Sequence, residues 1–322
     1  MNVFYPVKLL ADWFTFQVFR IPRGTLASEA VDFFIFDTVK IFILLLVIIF
    51  AVSIIRSFLP PERVRAILLR KNKYVGNVLA ALLGIITPFC TCSAIPLFLG
   101  FVEAGVPLGV TFSFLVASPM INEVALIMLV GMFGWKIALI YIVSGLIIAI
   151  ISGIIIGSLK VENLLEEFVL QNRIDASYFG SKLSWPERMA YAKSYTGDIL
   201  KKVWPYVLVG IGIGAWIHGY VPADFLAKYA GRDKWYAVPL ATLIGIPLYS
   251  NAAGVIPLVS ALTEKGVAMG TTLAFMMAVT GLSLPEFMIL KRVMKTKLIL
   301  IFAGVVGVGI VFTGYLFNLI LK

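Results

Sequence analysis

Apolar positions fall into eight long runs separated by short polar links. The runs lie at about 36–58, 74–102, 106–133, 137–159, 197–219, 235–263, 266–290 and 298–321. A bilayer core takes about 20 apolar residues of helix, so each run is long enough to enter a membrane, and the pattern predicts an all-α polytopic membrane protein. The composition agrees: 61% of residues are hydrophobic and 14% charged, with a mean hydropathy of +1.00. Soluble domains run at about 45–50% and about 25%. These figures exclude a disordered chain, a disulfide scaffold and a soluble globule. In this setting the net charge of +10 reads as basic cytoplasmic links, and no nucleic-acid partner is expected.

Residues 1–23 do not read as a cleavable signal, because Asp12 interrupts them and no small-residue cleavage site follows. Trp13, Phe14, Phe16 and Phe19 beside Lys8 and Arg20 fit an interfacial amphipathic helix or a frayed segment before the membrane.

A shift of 161 residues aligns the chain with itself, without gaps, from about 37 to 157. Asp37 meets Asp198, Pro61 meets Pro222, Lys73 meets Lys234 and Gly84 meets Gly245. Pro96 meets Pro257, Glu103 meets Glu264, Gly105 meets Gly266, and Gly109 meets Gly270. Chance matching of apolar residues would not pair Pro, Gly, Lys and Glu in one register. The reading is two tandem homologous halves of about four membrane segments each. The chain then divides into an N-terminal interfacial segment (1–35), a first membrane repeat (36–159), a polar linker (160–196) and a second membrane repeat (197–322). Ser184 before Trp185-Pro186-Glu187 marks a cap and the first turn of a surface helix in the linker.

The second run is the unusual one. As a continuous helix it would span about 43 Å, too long for a core of about 30 Å. It carries Thr87-Pro88 and Pro96 around Cys90-Thr91-Cys92-Ser93, and its counterpart carries Pro247 and Pro257 around Tyr249-Ser250-Asn251. Proline removes a backbone donor and clashes with the preceding turn, so both are expected to break. Pro119 and the Pro285 region predict breaks in the third segments as well. Unwound backbone at that depth survives only inside protein or beside a wet cavity, and paired broken helices point to a transport site.

Basic links at 56–73 and 228–234 place both halves the same way up if each crosses four times. That expectation depends on parity. If one of the second and third segments is a re-entrant hairpin, the halves invert.

The Cys90/Cys92 pair suits soft ions or thiol exchange, or is simply buried and apolar. The expected substrate contacts are Cys90, Thr91, Cys92, Ser93, Asn122, Glu123, Ser250 and Asn251. Glu123 and Glu286, acids within membrane segments, are expected to couple protons, or else to sit at helix ends near the interface. With His218 the only histidine, no histidine-based metal site or catalytic triad can be built. No cofactor and no metal are expected. No phosphate-binding fingerprint stands in the required context, and nothing resembles an ATP-binding cassette.

Thr87 to Pro96, Gly105-Val106-Pro107-Leu108-Gly109 and Phe114 to Asn122, with Gly245 to Tyr249 in the second half, resemble the predicted-permease family of YraQ-like proteins and methylarsenite exporters. The resemblance covers nearly the whole chain. It implies a bacterial or archaeal inner-membrane permease of about eight spans with Cys90 and Cys92 as functional positions. By its arsenical branch it implies efflux of a trivalent organoarsenical. The run Val279 to Glu286 resembles the YraQ-type branch instead. The expected function is a secondary permease for a small soft or sulfur- or arsenic-bearing solute, not an enzyme. The alternative is a membrane thiol–disulfide relay serving a thioredoxin-like partner. The expected partners are the lipid bilayer, the small-molecule solute, a thioredoxin-like protein and a second copy of the chain.

Overall fold

A computed structural model describes residues 4–58, 73–86, 91–121, 123–166, 184–220, 234–248 and 252–321. Among these residues the chain is helical, and its one β feature is an isolated bridge between Leu165 and Met294. The first helices are α1 (Tyr5–Trp13), α2 (Leu26–Phe58), α3 (Lys73–Ile86), α4 (Thr91–Glu103), α5 (Leu108–Met120), α6 (Glu123–Phe133) and α7 (Trp135–Ser158). After them come α8 (Trp185–Tyr220), α9 (Ala237–Gly245), α10 (Ala252–Glu264), α11 (Met269–Gly281), α12 (Leu284–Leu290) and α13 (Thr296–Ile320). Among the described residues four segments are long and apolar enough to cross a membrane, within α2, in α7, in α11 with α12 together and in α13, or five if the bent pair α5–α6 counts as one span. The all-α membrane class expected from the hydropathy pattern holds.

The surface is inverted relative to a soluble protein. Ile147, Ile151 and Ile155 of α7 and Val308, Phe312 and Leu319 of α13 face outward, while Asn77, Ser113, Thr271, Thr280 and Glu286 are buried. Lipid has nothing to offer a polar group, so polar side chains turn inward. Apolar side chains gain little from leaving lipid, so helix association relies on close packing at small residues. Gly109 of α5 lies against the Gly153 carbonyl and Gly157 of α7, and Gly270 of α11 lies against the Gly314 carbonyl of α13.

Two helices extend beyond the expected runs. α2 begins at Leu26, and Lys8 of α1 pairs with its Asp32 as well as with Asp12 at 3.1 Å. α8 is 36 residues long and joins the expected surface helix at Trp185 to the apolar run from 197, passing through Pro205. Its first turn is capped by Glu187, which accepts from the Ser184 N–H at 2.7 Å and from the Ser184 hydroxyl at 2.8 Å.

The helix directions follow from a few contacts. After α7 the turn Glu162–Leu164 meets the residues just before α13. The Glu166 N–H donates to the Val293 carbonyl at 3.0 Å, and the Lys295 N–H donates to the Leu164 carbonyl at 2.8 Å. The end of α7 therefore lies beside the start of α13. The two helices also touch in their middles, where a Cβ on Gly309 would stand 3.2 Å from Ile148. They cross in opposite directions.

The shorter helices orient against these two. α5 runs antiparallel to α7, with Gly109 near Gly153 and Ile121 near Gly145. α3 runs parallel to α5: Ser113 donates to Asn77 at 2.8 Å near one end, and Gly84 stands against Ala117 near the other. α4 and α5 form a tight antiparallel pair through Gly105, whose φ of 75° is the left-handed value that glycine tolerates. α3 and α4 thus run in opposite directions and share one face for entry and exit. α6 continues from α5 with a bend of 48° and leads to α7 on the other face.

The later helices follow the same plan. Gly245 of α9 stands against Ala278 of α11, and Val238 lies at the Gly314 level of α13. α10 and α11 turn through Gly266, at φ 85°. The Tyr315 hydroxyl of α13 donates to the Trp235 carbonyl at 2.5 Å, which puts the start of α9 on the face where α13 ends. The same-way-up expectation therefore does not hold for these segments. It counted the second run as a crossing, whereas its two helices double back.

Candidate functional site

Equal helix lengths bring four helix ends to one depth. α4 and α5 are both 13 residues, about 20 Å, and are joined by a tight turn, so Thr91 lies level with Met120. α10 and α11 are also 13 residues each, so Ala252 lies level with Gly281. The ends of α5 and α11 meet, since a Cβ on Gly281 would stand 3.0 Å from the Met120 methyl. That junction sits beside Tyr141 and Gly145 of α7, well inside a helix of 24 residues. Helix ends leave backbone groups without intrahelical partners, so groups at this depth need partners from elsewhere.

One of those groups is already engaged. The Tyr141 hydroxyl donates to the Met120 carbonyl at 2.9 Å, and the Thr280 side chain of α11 lies against the same phenol. Tyr141 is fully buried. It ties α7, the end of α5 and the end of α11 together at the point where α5 stops. Neither Tyr141 nor Thr280 figures among the sequence-derived candidates. The available signal was a phenol within the uncharged 137–159 run, a side chain with an apolar body and a polar tip that must find a partner.

The expected contacts are distributed as follows. Thr91, Cys92 and Ser93 form the first turn of α4, and Glu123 is the first residue of α6. Their backbone stands at the junction depth. Cys90, Asn122, Ser250 and Asn251 lie outside the described residues; each adjoins a helix end that is described, at Thr91, Glu123 and Ala252. Glu286 is 1% exposed, and neither carboxylate oxygen has a hydrogen-bond partner among the described residues. It is the third residue of α12 after the cap Ser283, a capping-box position. The Ser283 N–H approaches the carboxylate without completing a hydrogen bond.

Among the described residues no group of three His, Cys, Asp or Glu could hold a metal ion. A cavity of about 420 Å³ lined by Tyr74, Asn77, Gly109, Gly153 and Lys160 opens at the other end of α5, away from the junction.

Comparison with known proteins gives a consistent result. The model of the predicted-permease family ArsP_1 matches residues 26–319. The UPF0718 protein MJ0584 of Methanocaldococcus jannaschii is 24% identical, over 78% of this chain and 84% of its own length. A Streptococcus mutans protein named as a two-component membrane permease complex subunit is 28% identical, over 78% of this chain and 82% of its own. The UPF0718 protein YraQ of Escherichia coli is 22% identical, over 76% and 68%. No solved structure matches the chain. With nearly its whole length matched, this multi-pass membrane chain belongs to the predicted-permease family.

Proposed function

We propose that the chain is a secondary permease that moves a small soft or sulfur- or arsenic-bearing solute through the junction of helix ends at Met120 and Gly281. The observation that carries this reading is the convergence itself. Two helices begin and two are interrupted at this one depth, and such interruptions cost stability without an evident structural return. Cys90 and Cys92 would hold the solute by sulfur, while Asn122, Glu123, Ser250 and Asn251 would supply polar contacts. Glu123 and Glu286 would carry protons; the burial of Glu286 without a hydrogen-bond partner among the described residues supports that role. Export is the direction this reading favours, by resemblance to the arsenical branch.

An internal duplication is part of the same reading. In its support, α4 and α10 begin and end 161 residues apart, as do α5 and α11. The starts of α6 and α12, and those of α7 and α13, keep the same spacing. A second protein component is also proposed, on the name of the Streptococcus relative. The thioredoxin-linked relay draws no comparable support.

Thermal unfolding of the detergent-purified protein tests the reading. Trivalent arsenicals, small thiols and sulfur oxyanions are the probes. The expected result is stabilisation by at least one class, lost in Cys90→Ser/Cys92→Ser. Equal behaviour of the wild type and the double variant toward every probe would remove the thiols from the site.

A further inference from the structure

We infer that the site is served by two opposed helical hairpins, α3–α4 entering from one membrane face and α9–α10 from the other, so that each face has its own gate. The functional part of this inference rests on the permease reading; the topology does not.

The link between α7 and α13 sets the orientation of both hairpins. α7 is a single 24-residue crossing of about 36 Å. Its last turn shares a face with residues 293–295, which precede α13. On that face also lie the start of α3, through Asn77 and Ser113, and the turn between α4 and α5. The first hairpin therefore enters and leaves there. The start of α9 is held at the far end of α13 by the Tyr315–Trp235 hydrogen bond, and the turn between α10 and α11 is on that same opposite face. The second hairpin enters from there.

Contacts between positions 161 apart locate a pseudo-twofold axis. Ile148 touches Gly309, and Met120 touches Gly281. Residues that meet their own counterparts lie near a twofold axis. Because α7 and α13 run in opposite directions, that axis lies in the membrane plane. It passes through the junction. A rotation about it exchanges the two faces and the two hairpins while leaving the site in place, the geometry that alternating access requires.

Charge tells the faces apart. Among the described residues of 73–166 and 234–321, the face of the first hairpin carries Lys73, Lys160, Lys291, Arg292, Lys295 and Lys297, while the other carries Lys136, Lys234 and Lys265. Basic links stay cytoplasmic. The hairpin that bears the Cys-Thr-Cys motif is therefore the cytoplasmic gate, and the hairpin that bears Ser250 and Asn251 is the external one.

The test uses Ala104→Cys and Lys265→Cys, which place single new thiols in the two hairpin turns at counterpart positions. A membrane-impermeant maleimide is applied to right-side-out and to inside-out vesicles, and labelled peptides are identified by mass so that the natural cysteines stay in place. The expected result is labelling of position 104 from the cytoplasmic face alone and of position 265 from the external face alone. Labelling of both from one face overturns the inference. A protease site inserted in 167–183 and an epitope placed after Lys322 give a second readout that does not depend on thiol reactivity. Opposite faces are expected, and a shared face overturns the inference. Neither readout depends on transport, so a failure here is distinct from a failure of the permease reading.

Discussion

Leu165 and Met294 form an antiparallel bridge that joins the exit of one membrane-crossing helix to the entrance of another. They are far apart in sequence, and their pairing is what sets α7 and α13 in opposite directions. The flanking bond from the Lys295 N–H to the Leu164 carbonyl measures 2.8 Å. Lys295 caps α13 at φ −65°, a value that proline shares. Lys295→Pro should therefore remove this donor without straining the backbone. We expect a loss of about 1 kcal/mol, read as a lower unfolding temperature in detergent. Lys295→Ala, which keeps the N–H and loses only the exposed side-chain hydrogen bond to the Asn163 carbonyl, should lose less than Lys295→Pro.

Gly109 and Gly270 leave no room for a side chain, since a Cβ on either would run into a glycine carbonyl of the facing helix. Gly109→Val and Gly270→Val should each cost about 1–3 kcal/mol or more through overpacking. Gly304, which has open space around its Cα, supplies the control. Unfolding temperatures of the three variants check this, with Gly304→Ala expected near the wild type.

Tyr141→Phe removes the hydroxyl that satisfies the Met120 carbonyl. A buried acceptor left without a partner costs about 1–3 kcal/mol. The expected outcome is faster amide exchange at Ile121, whose N–H bonds to Ala117 at 2.9 Å in the last turn of α5. Unchanged exchange there would mean that the phenol does not hold the junction.

Ser184 hydrogen bonds hold the Glu187 carboxyl below its usual range. A depressed carboxyl pKa stabilises the fold above the unfolded value, about 4.3. That contribution disappears as pH falls through the folded value. Protection of the first amides of α8 should therefore decline below about pH 4.3 in the wild type. In Glu187→Gln, whose amide oxygen can still accept from the Ser184 N–H, it should not change across this pH range. Hydrogen exchange of 185–188 followed against pH measures it.

Much of the fold was legible from hydropathy. Lipid demands long apolar helices, and turns at Gly105 and Gly266 demand a left-handed backbone, so both leave marks in the sequence. The fate of the 74–102 run was not legible. An uncharged run of twenty-nine residues records contact with an apolar environment but not the direction of travel, and α3 and α4 bury the same residue types whether they cross or return. What decides is tertiary: Asn77 meeting Ser113 and Gly84 meeting Ala117. Of the candidate residues, the acids were visible because charge is rare in such runs. Tyr141 was not, because its importance comes from where α5 ends. Glu123 and Glu286 fall two positions out of the 161-residue register that aligns the chain with itself. The structure places them first and third in their helices.

Glu123→Gln and Glu286→Gln keep side-chain volume but cannot carry a proton. If these acids couple transport, uptake driven by a pH gradient should fall to the rate of protein-free vesicles in at least one variant, while exchange without a gradient persists. Wild-type gradient dependence in both would remove the acids from the coupling step.

Solute flux in proteoliposomes reconstituted with the purified chain alone shows whether the chain carries a solute by itself. Labelled trivalent organoarsenicals and small thiol-bearing solutes are followed in counterflow. The expected result is transient accumulation above protein-free liposomes for at least one of them, abolished by Cys90→Ser/Cys92→Ser. Flux equal to protein-free liposomes for every solute, or flux that the double variant retains in full, would contradict it.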